Sequence, residues 1–224
     1  MGDWKAESIL ERTTRTNSTI TQPPGIADGD PLLILFEIAG VGTPPVPPPP
    51  TGFDAITVTG GDSFPATLTD GSFVSNLYAF GRVADNESGD YVVTHSSAIT
   101  GAYMLVADKG ALVNTFLPAA TIAEGGGNPA TAPGITLPIG GYLVVWYANY
   151  WDPGNVTAPT GFTNRYNPTS GTGLHVATML AGAGATGDAT SVPPGSPWAT
   201  GLISIAPLVV AGTGGIGTRF DDWF

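Results

Sequence analysis

The apolar positions of this chain fall into two patterns. Leu32 to Ile38 and Tyr142 to Tyr147 are continuous apolar runs of strand length, which predicts strands covered on both faces or at the centre of a sandwich. Phe73, Ser75, Leu77, Ala79 and Gly81 alternate with Val74, Asn76, Tyr78, Phe80 and Arg82, the period-two signature of a strand. "SGDYVVTHSS" and "AYMLVA" follow, with turn residues between the segments at the spacing of an all-β domain. The pattern predicts eight to ten strands.

These elements recur. Pro24-Gly25-Ile26 and Pro133-Gly134-Ile135 each precede a turn and an apolar strand, at an offset of 109, and Thr51-Gly52-Phe53 and Thr160-Gly161-Phe162 repeat that offset. "SNLYAFGRVA" matches "GLHVATMLAGAG" more loosely, and "AITGAYMLVA" matches "PWATGLISIAP" with Gly101 set against Gly201. Neither half has enough strands to bury both faces of a sheet alone. The expected fold is therefore all-β: an antiparallel β-sandwich of jelly-roll type built from two pseudo-repeated halves, with extended N- and C-terminal arms. Two tandem sandwiches are the alternative. The organisation expected is an N-terminal arm or first strand over residues 1–19 and one sandwich over 20–207, with pseudo-repeats at about 20–110 and 130–207. A Gly-rich linker and aromatic arm would occupy 208–224.

Between the first apolar run and the first Thr-Gly-Phe lie six prolines, in "TPPVPPPPTGF". A polyproline II segment has no internal hydrogen bonds and spans ~3.1 Å per residue, so this run reads as a connection across one end of the sandwich. Phe53 and Phe162 are expected to anchor the loops they end, tucked beneath them at the same end.

Composition supports the same class. Thirty-two glycines and 21 prolines leave few helical windows, while a 42% hydrophobic content supplies a core. The net charge of −11 argues against nucleic acid as a partner. With no cysteine there is no disulfide framework and no thiolate chemistry. The charged N-terminal stretch has no apolar h-region, and no window approaches a membrane-spanning length, so neither Sec export nor membrane association is expected.

Candidate chemistry is sparse. His95 and His175 each sit in a strand pattern without a neighbouring carboxylate or second histidine, so no catalytic residue is assigned and no enzyme is expected. Asp85, Glu87 and Asp90 in "ADNESGD" offer hard oxygens to calcium, as do Asp28 and Asp30, although Asp and Asn also make such turns by themselves. Otherwise no cofactor is expected. Tyr150 and Trp151 form a candidate aromatic platform for a glycan. Gly212 to Gly217 fits G-x-G-x-x-G but has no room for the helix that a dinucleotide site needs.

The order of motifs carries a resemblance. "PPGIADGDPLLILFEI", "PPTGFDAI", "SNLYAFGRVADNESGDYVVTHSSAITGAYMLVA" and "PWATGLISIAP" resemble β-sandwich virion proteins of tailed bacteriophages over about residues 20–207. The proline run is longer than that family's loop, and Pro31 follows the Gly-Asp directly. The resemblance implies a repeated, homo-oligomeric component of a virion, on the exterior of the head or on the tail. Its partners would be the major capsid protein or neighbouring virion proteins. A head decoration protein is the first expectation; a tail or fibre component that binds a host receptor or glycan is the alternative.

The segment 212–224, "GTGGIGTRFDDWF", reads as a partner-binding arm comprising Arg219, Phe220, Asp221, Asp222, Trp223 and Phe224. Ordering it carries a backbone cost of ~1–2 kcal/mol per residue, which three aromatics burying ~150–250 Å² each would largely offset. Deleting residues 218–224 is expected to leave the melting temperature of the purified protein unchanged and to abolish its incorporation into particles. Normal loading of the truncated protein would overturn this expectation.

Overall fold

Leu32 to Ile38 is apolar at every position because both of its faces are covered. In the computed structural model Leu33 and Leu35 point into one core and Leu32, Ile34, Phe36 and Ile38 into another, all of them fully buried. The second run behaves alike, with Val145 and Tyr147 on one side and Val144, Trp146 and Ala148 on the other. The structure describes residues 4–14, 17–57, 64–95, 99–107, 119–150, 156–168, 173–192 and 197–206.

Among these residues there are seventeen strands and no helix. The first half holds β1 (Trp4–Thr14), β2 (Asn17–Ile20), β3 (Pro31–Val41), β4 (Asp54–Ala55), β5 (Ala66–Asp70), β6 (Phe73–Val83), β7 (Tyr91–Thr94) and β8 (Ile99–Ala107). The second holds β9 (Ala119–Gly125), β10 (Ala130–Ala132), β11 (Thr136–Leu137), β12 (Tyr142–Tyr150), β13 (Thr163–Tyr166), β14 (Leu174–Ala181), β15 (Gly184–Ala185), β16 (Ala189–Ser191) and β17 (Trp198–Ile205). The count exceeds eight to ten because several strands span only two to four residues and lack a hydrophobic period of their own.

Each half builds one large antiparallel sheet of its own. The first runs β1-β8-β3-β6-β4, with β5 also paired to β6, and the second runs β9-β17-β12-β14-β13, the same order strand for strand. Registers agree as well. Leu33 lies between Leu105 and Gly81, and Val145 between Ile203 and Thr178. On this register β8 and β17 are equivalent, as the sequence suggested, but Tyr103 rather than Gly101 occupies the place of Gly201. The repeat also takes in β1 and β9, which lie outside the expected 20–110 and 130–207 spans.

The two sheets pack through equivalent faces. One core joins Leu33, Leu35 and Tyr103 of the first to Val145, Tyr147 and Ile203 of the second. β8 meets β14 and β5 meets β9, so the strand order of one sheet runs opposite to that of the other across the interface. Ser75, opposite the end of β3, accepts the Asn149 amide at 2.9 Å from the end of β12, so the central strands run in the same sense. Equivalent faces, reversed lateral order and a common strand direction relate the halves by an approximate two-fold axis along the strands. Smaller layers cover the outside: β2-β7 on the first sheet, β10-β16 and β11-β15 on the second. The molecule is thus a four-layer β stack, combining the single sandwich with features of the tandem alternative.

The proline run is a connection with no strand in it. Pro44, Pro47 and Pro50 are buried and the residues between them exposed, which is the three-residue period of polyproline II with one edge against the protein. Val156 and Pro159 take the equivalent buried places in the shorter second loop.

Tyr147 crosses the inner core to donate from its hydroxyl to the Thr121 carbonyl at 2.8 Å, and this requires glycine at position 201. A Cβ on Gly201 would lie 1.9 Å from the Thr121 oxygen and 2.2 Å from the Tyr147 hydroxyl. Gly201→Ala is expected to destabilise by at least about 3 kcal/mol in denaturant titration, the upper range for overpacking. Gly127→Ala, where a Cβ meets nothing within 4 Å, is the control and should be close to neutral. Equal effects at the two sites would contradict this account.

Candidate functional site

Each half carries a surface pocket beside its Pro-Thr-Gly-Phe turn. Phe53 N–H donates to Pro50 O at 2.9 Å and Phe162 N–H to Pro159 O at 3.0 Å, with Gly52 at φ +81° and Gly161 at φ +87°. A positive φ at the third residue defines a type II turn, which is why glycine stands there. Phe53 is buried, its ring 5.3 Å from Tyr91, whereas Phe162 is only half-buried against the outer core of its half. Both turns pair onto the early part of their sheets, opposite Leu33 and Val145, and so lie toward one end of the molecule.

The second wall of each pocket is the loop after β6 or β14. Asn86 (φ +51°) and Gly89 (φ +79°) correspond to Gly184 (φ +104°) and Gly187 (φ +70°). Asp90 Oδ1 accepts the Gln22 N–H at 3.0 Å and Asp188 Oδ1 accepts the Gly134 N–H at 3.0 Å, so one carboxylate clamp serves both halves.

The linings differ. The first-half pocket, about 340 Å³, contains Arg82, Asp85, Asn86, Glu87, Asp90 and Tyr91 among its walls. Arg82 Nη2 pairs with Glu87 Oε1 at 3.0 Å and its guanidinium lies 5.5 Å from the centre of the Phe53 ring. Glu87 Oε1 also accepts the Asp85 N–H at 3.1 Å, and Glu87 Oε2 accepts the Tyr91 hydroxyl at 2.9 Å. Burial, then Glu87, holds the Tyr91 phenol well above its ordinary range. The second-half pocket, about 150 Å³, is walled by Phe162, Met179, Asp188 and Thr190.

Asp85, Glu87 and Asp90 share the lining of the first-half pocket, and among the described residues no three His, Cys, Asp or Glu side chains form a group that could hold a metal. Asp28 accepts the Asn86 N–H, while buried Asp30 pairs with Lys5 at 2.6 Å. Tyr150 is no glycan platform: it is 1% exposed and its hydroxyl bonds Ser191 at 2.6 Å. As the fifth consecutive aromatic or apolar position of β12 to face the outer core, it belongs to the packing. Trp151, and Arg219, Phe220, Asp221, Asp222, Trp223 and Phe224, lie outside the described residues.

Both histidines sit inside the protein. His95 shares a 2.9 Å hydrogen bond with Ser18 and packs 5.6 Å from Phe36. His175 Nδ1 is 2.8 Å from Asn167 Oδ1, and the Asn167 amide donates to Val156 O at 2.9 Å, tying the second-half loop to β14. An acceptor at Asn167 Oδ1 requires the proton on His175 Nδ1. Nε2 is buried without a partner.

The residue that sequence reading passed over is Arg82. It reads as an ordinary position of an alternating strand, and only the registers of β6 on β3 and of β14 on β12 show that Met179 is its counterpart in the second half. No protein-family model, curated protein or solved structure matches the chain.

Burial lowers the His175 pKa from 6.5 to about 4. Between these values the unfolded chain binds the extra proton and the folded one does not. Stability is therefore full above pH 6.5, falls as pH drops toward 4, and loses nothing further from this group below that. The shift corresponds to about 3 kcal/mol. His175→Gln should lose correspondingly less stability between pH 7 and pH 4.5 in urea titrations. Parallel losses in both proteins would show that His175 does not govern this window.

Proposed function

We propose that this chain is a non-catalytic structural protein of a tailed-bacteriophage particle, a decoration protein bound as repeated copies to the outside of the major capsid lattice. The observation that carries the reading is how the protein uses its ionisable and polar groups. Asp30, Glu87, Asp90 and Asp188 hold backbone amides or partner side chains in turns, and both histidines are buried in hydrogen bonds. The described residues form a two-fold, four-layer stack of antiparallel sheets, suited to resisting deformation between capsomers. The resemblance of its motifs to β-sandwich virion proteins supports the same placement.

The first-half pocket favours a second reading, a tail component that contacts the host. Copy number separates the two. Quantitative gel densitometry of purified virions against the major capsid protein is expected to give hundreds of copies per particle; a few to tens would move the protein to the tail, and none would remove it from the virion.

A further inference from the structure

We propose that the first-half pocket binds a neutral polyhydroxylated ring, one monosaccharide unit of a glycan. The inference goes beyond the structural role and does not depend on whether the protein sits on the head or the tail.

The second half serves as an internal control for what the loop needs. There a loop one residue longer, with positive-φ residues at the two corresponding places and the same Asp clamp, is built with Met179, Ala183, Ala185 and Ala189. The first half places Arg82, Asp85, Glu87 and Tyr91 at those positions. The polar side chains are therefore not required to shape the loop. The turn also makes room for one of them: a Cβ on Gly52 would lie 2.5 Å from Arg82 Nη1, whereas a Cβ on Gly161 would meet nothing within 4 Å.

Arg82 keeps donor capacity in reserve. A guanidinium offers five N–H groups, and apart from the 3.0 Å pair with Glu87 its contacts are 3.5 Å to Thr51 O and 3.4 Å to Val83 O, at the outer limit of a hydrogen bond. The side chains of Asp85, Asn86 and Ser88 line the same cavity without hydrogen bonds of their own. Donors and acceptors are thus interleaved. An ammonium group would meet Arg82, and an anion would meet Asp85, Glu87 and Asp90. Sugar hydroxyls both donate and accept, so a ring satisfies both sets without bringing a charge. Exposed Val92, with the edges of the largely buried Pro50 and Tyr91, supplies apolar surface for its C–H face. The volume, about 340 Å³, is at the small end of small-molecule sites, ~300–1,000 Å³.

The test is amide chemical-shift titration of the full chain with glucose, galactose, N-acetylglucosamine and rhamnose, alongside ethylammonium and acetate. Saturable shifts with at least one sugar, confined to residues 84–92, are expected. Arg82→Met with Glu87→Ala, which transplants the second half's residues, should abolish them, and Asp85→Ala should weaken binding roughly tenfold, the loss of one charge-assisted hydrogen bond. Should the double variant fail to fold, exposed Asp85 decides alone. Absence of saturable shifts with every sugar, shifts with only the ionic probes, equal shifts at residues 182–190, or undiminished binding by Asp85→Ala would each overturn the proposal.

Discussion

The structure depends on the burial of one face of each large sheet against the equivalent face of the other. Leu33, Leu35, Val145, Tyr147 and Ile203 are fully buried only because both sheets are present. At ~25 cal/mol per Å² of apolar surface, a sheet of this size leaves a large driving force unrealised when one face stays wet. The two small outer layers close the opposite faces. Covering both sides of β3 and β12 makes their sequences apolar at every step instead of at every second one.

Polar groups in that interface are few and specific. Ser75 donates to Glu37 at 3.0 Å and accepts from Asn149 at 2.9 Å, a chain joining the ends of β3, β6 and β12 where apolar packing alone would let the sheets slide. Tyr147 and Gly201 set the close approach on the second side. Because the faces are equivalent, the arrangement has the logic of an isologous dimer contained in one chain. Such an arrangement duplicates every surface feature, and each copy then varies independently.

That variation is what makes the pockets informative. Backbone geometry is held in common by turn glycines and by Asp90 or Asp188, while side chains that no turn requires diverge from charged to small or apolar. Carboxylates that look like metal ligands in a linear reading divide, in space, into those that clamp backbone and those, such as Asp85, that the fold leaves free.

The sequence by itself was enough to identify the class of fold, the existence of a repeat and the nature of the proline run, because these are local: strand runs, turn glycines and a three-residue helix are written in adjacent residues; the Pro-Gly-Ile match at 109 is out of step with the strands around it, which are equivalent at 112. It was enough for the paired Pro-Thr-Gly-Phe turns, since a positive φ at the third position calls for glycine wherever the chain goes. It misled at Tyr150, whose aromatic neighbours suggested a surface platform, because whether a strand residue faces solvent depends on what covers the sheet. It was silent about Arg82, whose meaning comes from three segments, the turn at 50–53, β6 and the loop at 84–91, that meet only once the strands have paired. The tertiary structure alone decided that the halves keep separate sheets and join face to face, since period-two patterning says which residues share a face but not which face it meets.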